Sequence, residues 1–230
     1  MSRSDERRLA VAWCVALALS AAVFQLWPGV DLAVSGWFFT PGSGFALAGS
    51  RALDILREAI WGLSLLMVGF VVLAILAALA GKPFLELRRA VFILLMYLLG
   101  PVLLVDGLLK RFWGRARPAN IEDFGGTQQF TPPLVPADQC ESNCSFVSGE
   151  GAAAAALAIA FLVIAPAVRL RVSPTLFRLY VALAIAIPLT GMALRVMLGR
   201  HFLSDTVFAV LFVSGIALVL TRLLFRRRES

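Results

Sequence analysis

Histidine is almost missing from this chain: His201 is the only one in 230 residues. Cysteine is nearly as scarce, at three, and charged side chains make up only 15% of the sequence. Each shortage removes a class of reading. One imidazole and three thiols do not make up the ligand set of a zinc site, so neither a metal nor another cofactor is expected. Long segments of alternating apolar and polar residues are also wanting, which argues against a β-barrel. What fills the space instead is apolar. Hydrophobic residues reach 60%, with a mean hydropathy of +0.87, well above the share usual in soluble domains.

Six apolar runs, near 9–27, 59–80, 90–109, 151–168, 179–196 and 205–224, are each about 20 residues, the length that crosses a bilayer. Backbone groups in lipid must pair internally, so these runs predict an all-α polytopic membrane protein, six helices in one bundle. The first run has features of a signal peptide, with Arg7 and Arg8 ahead of it and Ala18-Leu19-Ser20-Ala21 resembling a cleavage site. Its apolar stretch continues to Trp27, too long for a signal core, and an uncleaved helix is the expectation.

Positive charge sets the orientation. Arg3, Arg7 and Arg8, then Lys82, Arg88 and Arg89, then Arg169, Arg171 and Arg178, and finally Arg222, Arg226, Arg227 and Arg228 all fall on one side. Both termini are therefore predicted to be cytoplasmic. The remaining basic residues, Arg51, Arg57, Lys110, Arg111, Arg115, Arg117, Arg195 and Arg200, fall on the outer side, where such an excess is against the rule. Binding an anion is the simplest reason for it. The net charge of +7 thus divides between topology and a site, and no nucleic acid is needed to explain it.

Two outer segments are not spans. Residues 28–58, with Trp37, Phe38, Phe39 and several glycines, read as an interfacial strap over the bundle that could also guide a lipid headgroup. Residues 111–147 form a long loop, functional or disordered by its length. On the oxidising side of a membrane, Cys140 and Cys144 are expected to close a small disulfide loop. Cys14 lies in the first run and reads as inert packing. In the fifth run, Pro188 and Gly191 predict a kink.

Three clusters fall on the outer side. Asp106 and Lys110 are spaced to pair on a helix, and Lys110 is followed after six residues by Arg117-Pro118. Ser148-Gly149-Glu150 precedes an alanine-rich helix, whose free amides suit an anion; Ser148 also reads as a simple helix cap. Arg195, His201 and Asp205 follow at spacings that put the carboxylate one helical turn after the imidazole. Two guanidinium forks and an ammonium can neutralise a phosphoryl group, and a neutral imidazole is a competent nucleophile toward phosphorus. The clusters read as a phosphate site.

At these residues the chain resembles the type-2 phosphatidic acid phosphatase family, whose pattern is K-x6-RP, then PSGH, then SR-x5-H-x3-D. Here stand Lys110-x6-Arg117-Pro118, Val147-Ser148-Gly149-Glu150 and Leu194-Arg195-x5-His201-x3-Asp205. The resemblance implies a single transmembrane phosphatase domain over 1–230. It implies that His201 forms a phosphohistidine, that Asp205 orients it, and that Lys110, Arg117, Arg195, Ser148 and Gly149 hold the phosphate. Glu150 replaces the histidine that protonates the leaving oxygen, and is expected to take over as the acid or else to be structural.

The implied activity is metal-independent hydrolysis of a lipid phosphate at the periplasmic face of a bacterial inner membrane. Lipid A is the weak preference, because the long outer loop suits a bulky headgroup. Undecaprenyl pyrophosphate, phosphatidylglycerophosphate and phosphatidic acid follow. Two other functions fit the same residues: a lipid phosphotransferase, and a non-catalytic transporter or flippase. The latter lacks the internal repeats such proteins often show. The implied partners are the lipid and the membrane, and no protein partner is legible.

Overall fold

In the computed structural model of the protein, which describes residues 3–225, six helices are long and apolar enough to cross a membrane. They are α1 (Arg3–Leu26), α3 (Arg51–Leu79), the composite helix from α4 (Leu87–Tyr97) to α5 (Lys110–Phe112), α6 (Gly149–Arg169), α7 (Pro174–Met197) and α8 (Leu203–Phe225). Arg226, Arg227 and Arg228, part of the predicted cytoplasmic charge, lie outside the described residues. Between α4 and α5 the chain runs through wide π-helical turns over Leu98–Leu109. Pro101 sits inside this stretch, lacking the N–H and crowding the preceding turn.

Burial follows the logic of a bilayer rather than of water. Leu65, Leu66, Leu73 and Leu79 on α3 point outward with more than half their surface exposed, where lipid would cover them. The core holds small and aromatic side chains. Ala152 to Ala156 on α6 are all buried, which lets α6 lie close against α7 and α8, its main partners. Phe146 and Phe208 fill the space above them, ring centroids 5.7 Å apart.

α7 runs as one helix through Pro188 and Gly191, the pair at which the kink was expected. Two local expectations change. Cys14 is exposed on the outside of α1 rather than packed. The strap is shorter than 28–58: it comprises α2 (Gly29–Gly36) and a hairpin of β1 (Phe39–Thr40) and β2 (Gly44–Phe45), and α3 already begins at Arg51. The polar first turns of α3 (Arg51, Asp54, Arg57) hid its start from hydropathy. One consequence is functional. Arg57 rides on a spanning helix, fixed relative to its neighbours.

Candidate active site

The site lies at one end of the bundle, where the ends of α3, α5, α6, α7 and α8 meet under the strap and the long loop. Ser148 is the N-cap of α6, its hydroxyl oxygen accepting from the Gly151 amide at 3.0 Å, so the capping role expected of it is realised. Its own amide donates to the Asp205 carbonyl at 3.2 Å, tying the start of α6 to the start of α8. Gly149 is where the first two clusters touch. A Cβ there would stand 2.8 Å from Lys110 Nζ, so the bare glycine leaves room for the ammonium to lie over the helix start. Lys110 is further held by Asp106 at 3.4 Å, the pair expected from their spacing.

The third cluster is a tight turn between α7 and α8. The amides of Arg200 and His201 both donate to the Arg195 carbonyl, at 3.0 and 3.1 Å. Gly199 has a positive φ of 64°, and the Phe45 ring of the strap packs where a side chain would be. His201 is 1% exposed. Its Nδ1–H donates to the Ser145 carbonyl at 2.8 Å; because a carbonyl only accepts, the lone pair is left on Nε2. Burial, joined by the charges of Arg195 and Arg117, holds the His201 pKa down to about 4 against the pull of Asp205. The ring is neutral at physiological pH.

Asp205 does not orient the ring by a direct bond. The closest approach is 3.7 Å from Nδ1 to Oδ2, beyond hydrogen-bond range. Instead Oδ2 accepts from the Ser145 hydroxyl at 2.5 Å and the Phe202 amide at 2.8 Å. Ser145 therefore stands between the carboxylate and the imidazole, receiving the ring with its carbonyl and the acid with its hydroxyl. Nothing in the spacing of the motifs pointed to Ser145.

Behind Asp205 lies Arg115, a wholly buried arginine that the motif reading passed over. Nη1 donates to Asp205 Oδ1 at 2.7 Å, Nη2 to Asp31 Oδ2 at 2.8 Å, and Nε to the Thr131 carbonyl at 2.8 Å. The guanidinium lies 4.3 Å over the centroid of Phe202. Asp31, from α2, also receives the Ser204 amide and hydroxyl. One cation thus locks the strap, the long loop and the α8 start together. The sequence signal, an arginine two residues before Arg117 and an aspartate just after the first span, was present but unranked.

Of the predicted phosphate ligands, Lys110 lies within electrostatic reach of Arg117 and Arg195, and both arginines act on His201. Burial, and next the Arg200 charge, lower the Arg117 pKa against the pull of Asp205 and Glu150. Arg195 is 7% exposed, and its Nε has no hydrogen-bond partner. Glu150 accepts on a single oxygen, Oε1, from Arg57 at 3.0 Å and lies 3.4 Å from Arg195. Arg57 was not among the predicted site residues, having been assigned to the strap. Cys140 and Cys144 are joined by a disulfide at the edge of the site, with Cα atoms 5.6 Å apart. Among the described residues, no group of three or more His, Cys, Asp or Glu is placed to hold a metal ion.

The PAP2 superfamily profile matches residues 89–229, a stretch holding all three clusters. The chain belongs to the PAP2 superfamily. Among similar proteins, this PAP2 chain is 30% identical to the lipid A 4'-phosphatase of Francisella tularensis subsp. novicida, over 90% of the chain and 91% of that protein. It is 33% identical to the lipid A 4'-phosphatase of Rhizobium leguminosarum, over 81% and 83%, and 34% identical to that of Rhizobium etli, over 80% and 75%. No solved structure matches it significantly.

Proposed function

We propose that the protein is a lipid-phosphate phosphatase of the bacterial inner membrane, acting at the periplasmic face through a phosphohistidine, with lipid A as the favoured substrate class. The observation that carries the chemistry is the pairing of a neutral, buried His201 with an unpartnered donor, Arg195 Nε, in a cluster of excess cations. The substrate class is supported by relatives that match most of the chain and are named lipid A 4'-phosphatases.

In this reading, Lys110, Arg117 and Arg195 take the phosphoryl oxygens, together with the amides of the first turn of α6. Ser148 sets the direction of those amides. The Nε2 lone pair of His201 attacks phosphorus while Nδ1–H stays on the Ser145 carbonyl; Asp205 and Arg115 keep Ser145 in place. The bond from phosphorus to the leaving oxygen breaks, and Glu150, at the head of α6, supplies the proton that oxygen needs. Water then cleaves the phosphorus–nitrogen bond and releases phosphate.

An apolar groove of about 360 Å³ lies between α2, α7 and α8, with Val34, Trp37, Val196 and Leu203 in its walls. Val196 and Leu203 flank the His201 turn, so acyl chains seated in the groove would lie beside the site. The periplasmic orientation rests on the distribution of basic residues, since the site lies at the end of the bundle remote from the start of α1 and the end of α8.

The test is phosphate release by purified protein from a panel of lipid A, undecaprenyl pyrophosphate, phosphatidylglycerophosphate and phosphatidic acid, with His201→Ala as control. Release from lipid A that disappears in the variant is expected. Binding of the lipids without release points to a transporter, and transfer of phosphate to a second lipid points to a phosphotransferase. Either outcome overturns the proposal.

A further inference from the structure

The segment 140–145 touches more of the site than any motif predicted. Its buried end is Cys144 and Ser145, the second of which seats both His201 and Asp205. Its exposed end, Asn143, reaches back over the cations. Asn143 Oδ1 accepts from Lys110 Nζ at 3.3 Å. Its main-chain carbonyl accepts from Arg117 on two atoms, Nε at 3.2 Å and Nη2 at 2.8 Å. Two oxygens of one residue thus bridge the two cations, and they use the Nε–Nη2 edge with which an arginine grips a phosphate. Asn143 takes a left-handed φ of 51°, the only positive φ outside glycine among the described residues, and the Cys140–Cys144 disulfide holds the loop that bends it there.

We infer that Asn143 is a gating residue of the phosphate site: its side-chain and main-chain oxygens occupy Lys110 and Arg117 in place of phosphoryl oxygens, and substrate enters by displacing them. The inference rests on the reading that Lys110 and Arg117 bind phosphate. A purely structural staple is the weaker account, since Lys110 already has Asp106 beside it and Asn143 is exposed. The displaced residue needs little room to move, because only the exposed apex 141–143 has to lift. Ser145 can stay on His201 while it does so. The gate and the seat of the nucleophile are neighbours in sequence, separated by the disulfide that anchors one against the other.

The experiment measures binding of inorganic phosphate to the full-length protein in detergent by calorimetry, which needs no turnover. Asn143→Gly removes the side-chain competitor and accepts the positive φ. It is expected to bind phosphate about fivefold tighter than the parent, the equivalent of about 1 kcal/mol, a single modest hydrogen bond. Unchanged or weaker binding in the variant overturns the gate and leaves Asn143 as a staple. NMR of the Asn143 side-chain and main-chain signals in the unmutated protein provides a reading that does not depend on the variant folding. Added phosphate is expected to shift the Asn143 signals while those of Ser145 stay in place; unchanged Asn143 signals also overturn the gate. If Lys110→Ala and Arg117→Ala leave phosphate binding intact, the underlying reading of the site has failed instead, and these controls keep the two failures apart.

Discussion

A chain with one histidine makes the protonation of that one ring directly measurable. The perturbation is pH, and the structural basis is the burial of His201 beside Arg195 and Arg117. Its pKa in the folded protein is about 4, against an ordinary 6.5. The folded state therefore disfavours the proton, and between those values the unfolded chain binds more protons than the folded one. Stability from this group is fully present above pH 6.5 and is lost as pH falls toward 4. A shift of this size corresponds to about 3 kcal/mol, at about 1.4 kcal/mol per pH unit.

The assay is NMR of protein labelled only at histidine, in detergent micelles. One imidazole signal is expected, with Nδ1 protonated and Nε2 bare at pH 7, and a titration midpoint near 4. His201→Asn, which cannot titrate in this range, should lose about 3 kcal/mol less stability than the parent between pH 7 and 4. A midpoint at or above 6, or an Nε2–H tautomer at neutral pH, refutes the reasoning. Either result would mean that the ring is solvated, or that its lone pair is turned away from the site.

Removing Arg115 should be costly, because it leaves Asp31 and Asp205 buried together without their cation. Arg115→Leu is expected to lose about 3–5 kcal/mol, seen as a large drop in thermal stability in detergent, whereas wild-type melting would contradict the network. Glu150→Gln should slow hydrolysis of an alkyl phosphate about 10²–10⁴-fold, the usual contribution of a general acid, and spare an aryl phosphate whose leaving group needs no proton. Equal loss on both substrates would leave Glu150 as the clamp between Arg57 and Arg195. Thiol counting under denaturing conditions should find one reactive cysteine per chain, Cys14, and three after reduction. Three before reduction would mean that the loop is not closed.

Whatever depends on local composition and spacing could be read from the chain alone. Apolar runs of bilayer length specify spanning helices, because lipid offers the backbone no other partner. A turn's separation puts Asp106 beside Lys110, and a serine before glycine and alanine caps α6. The motif residues Lys110, Arg117, Glu150, Arg195 and His201 were likewise legible as candidates, since rare charge in an apolar chain stands out. How they are held is a property of the folded bundle. Ser145, Asn143, Arg57 and Arg115 with Asp31 have no spacing that marks them, because their contacts are made across 26 to 93 residues of chain. Asp205 shows the difference most plainly. Its helical spacing from His201 suggested a direct bond, but in the fold its oxygens are taken by the neighbouring Phe202 amide and by Ser145 and Arg115, two partners that only the closing of the bundle brings within reach.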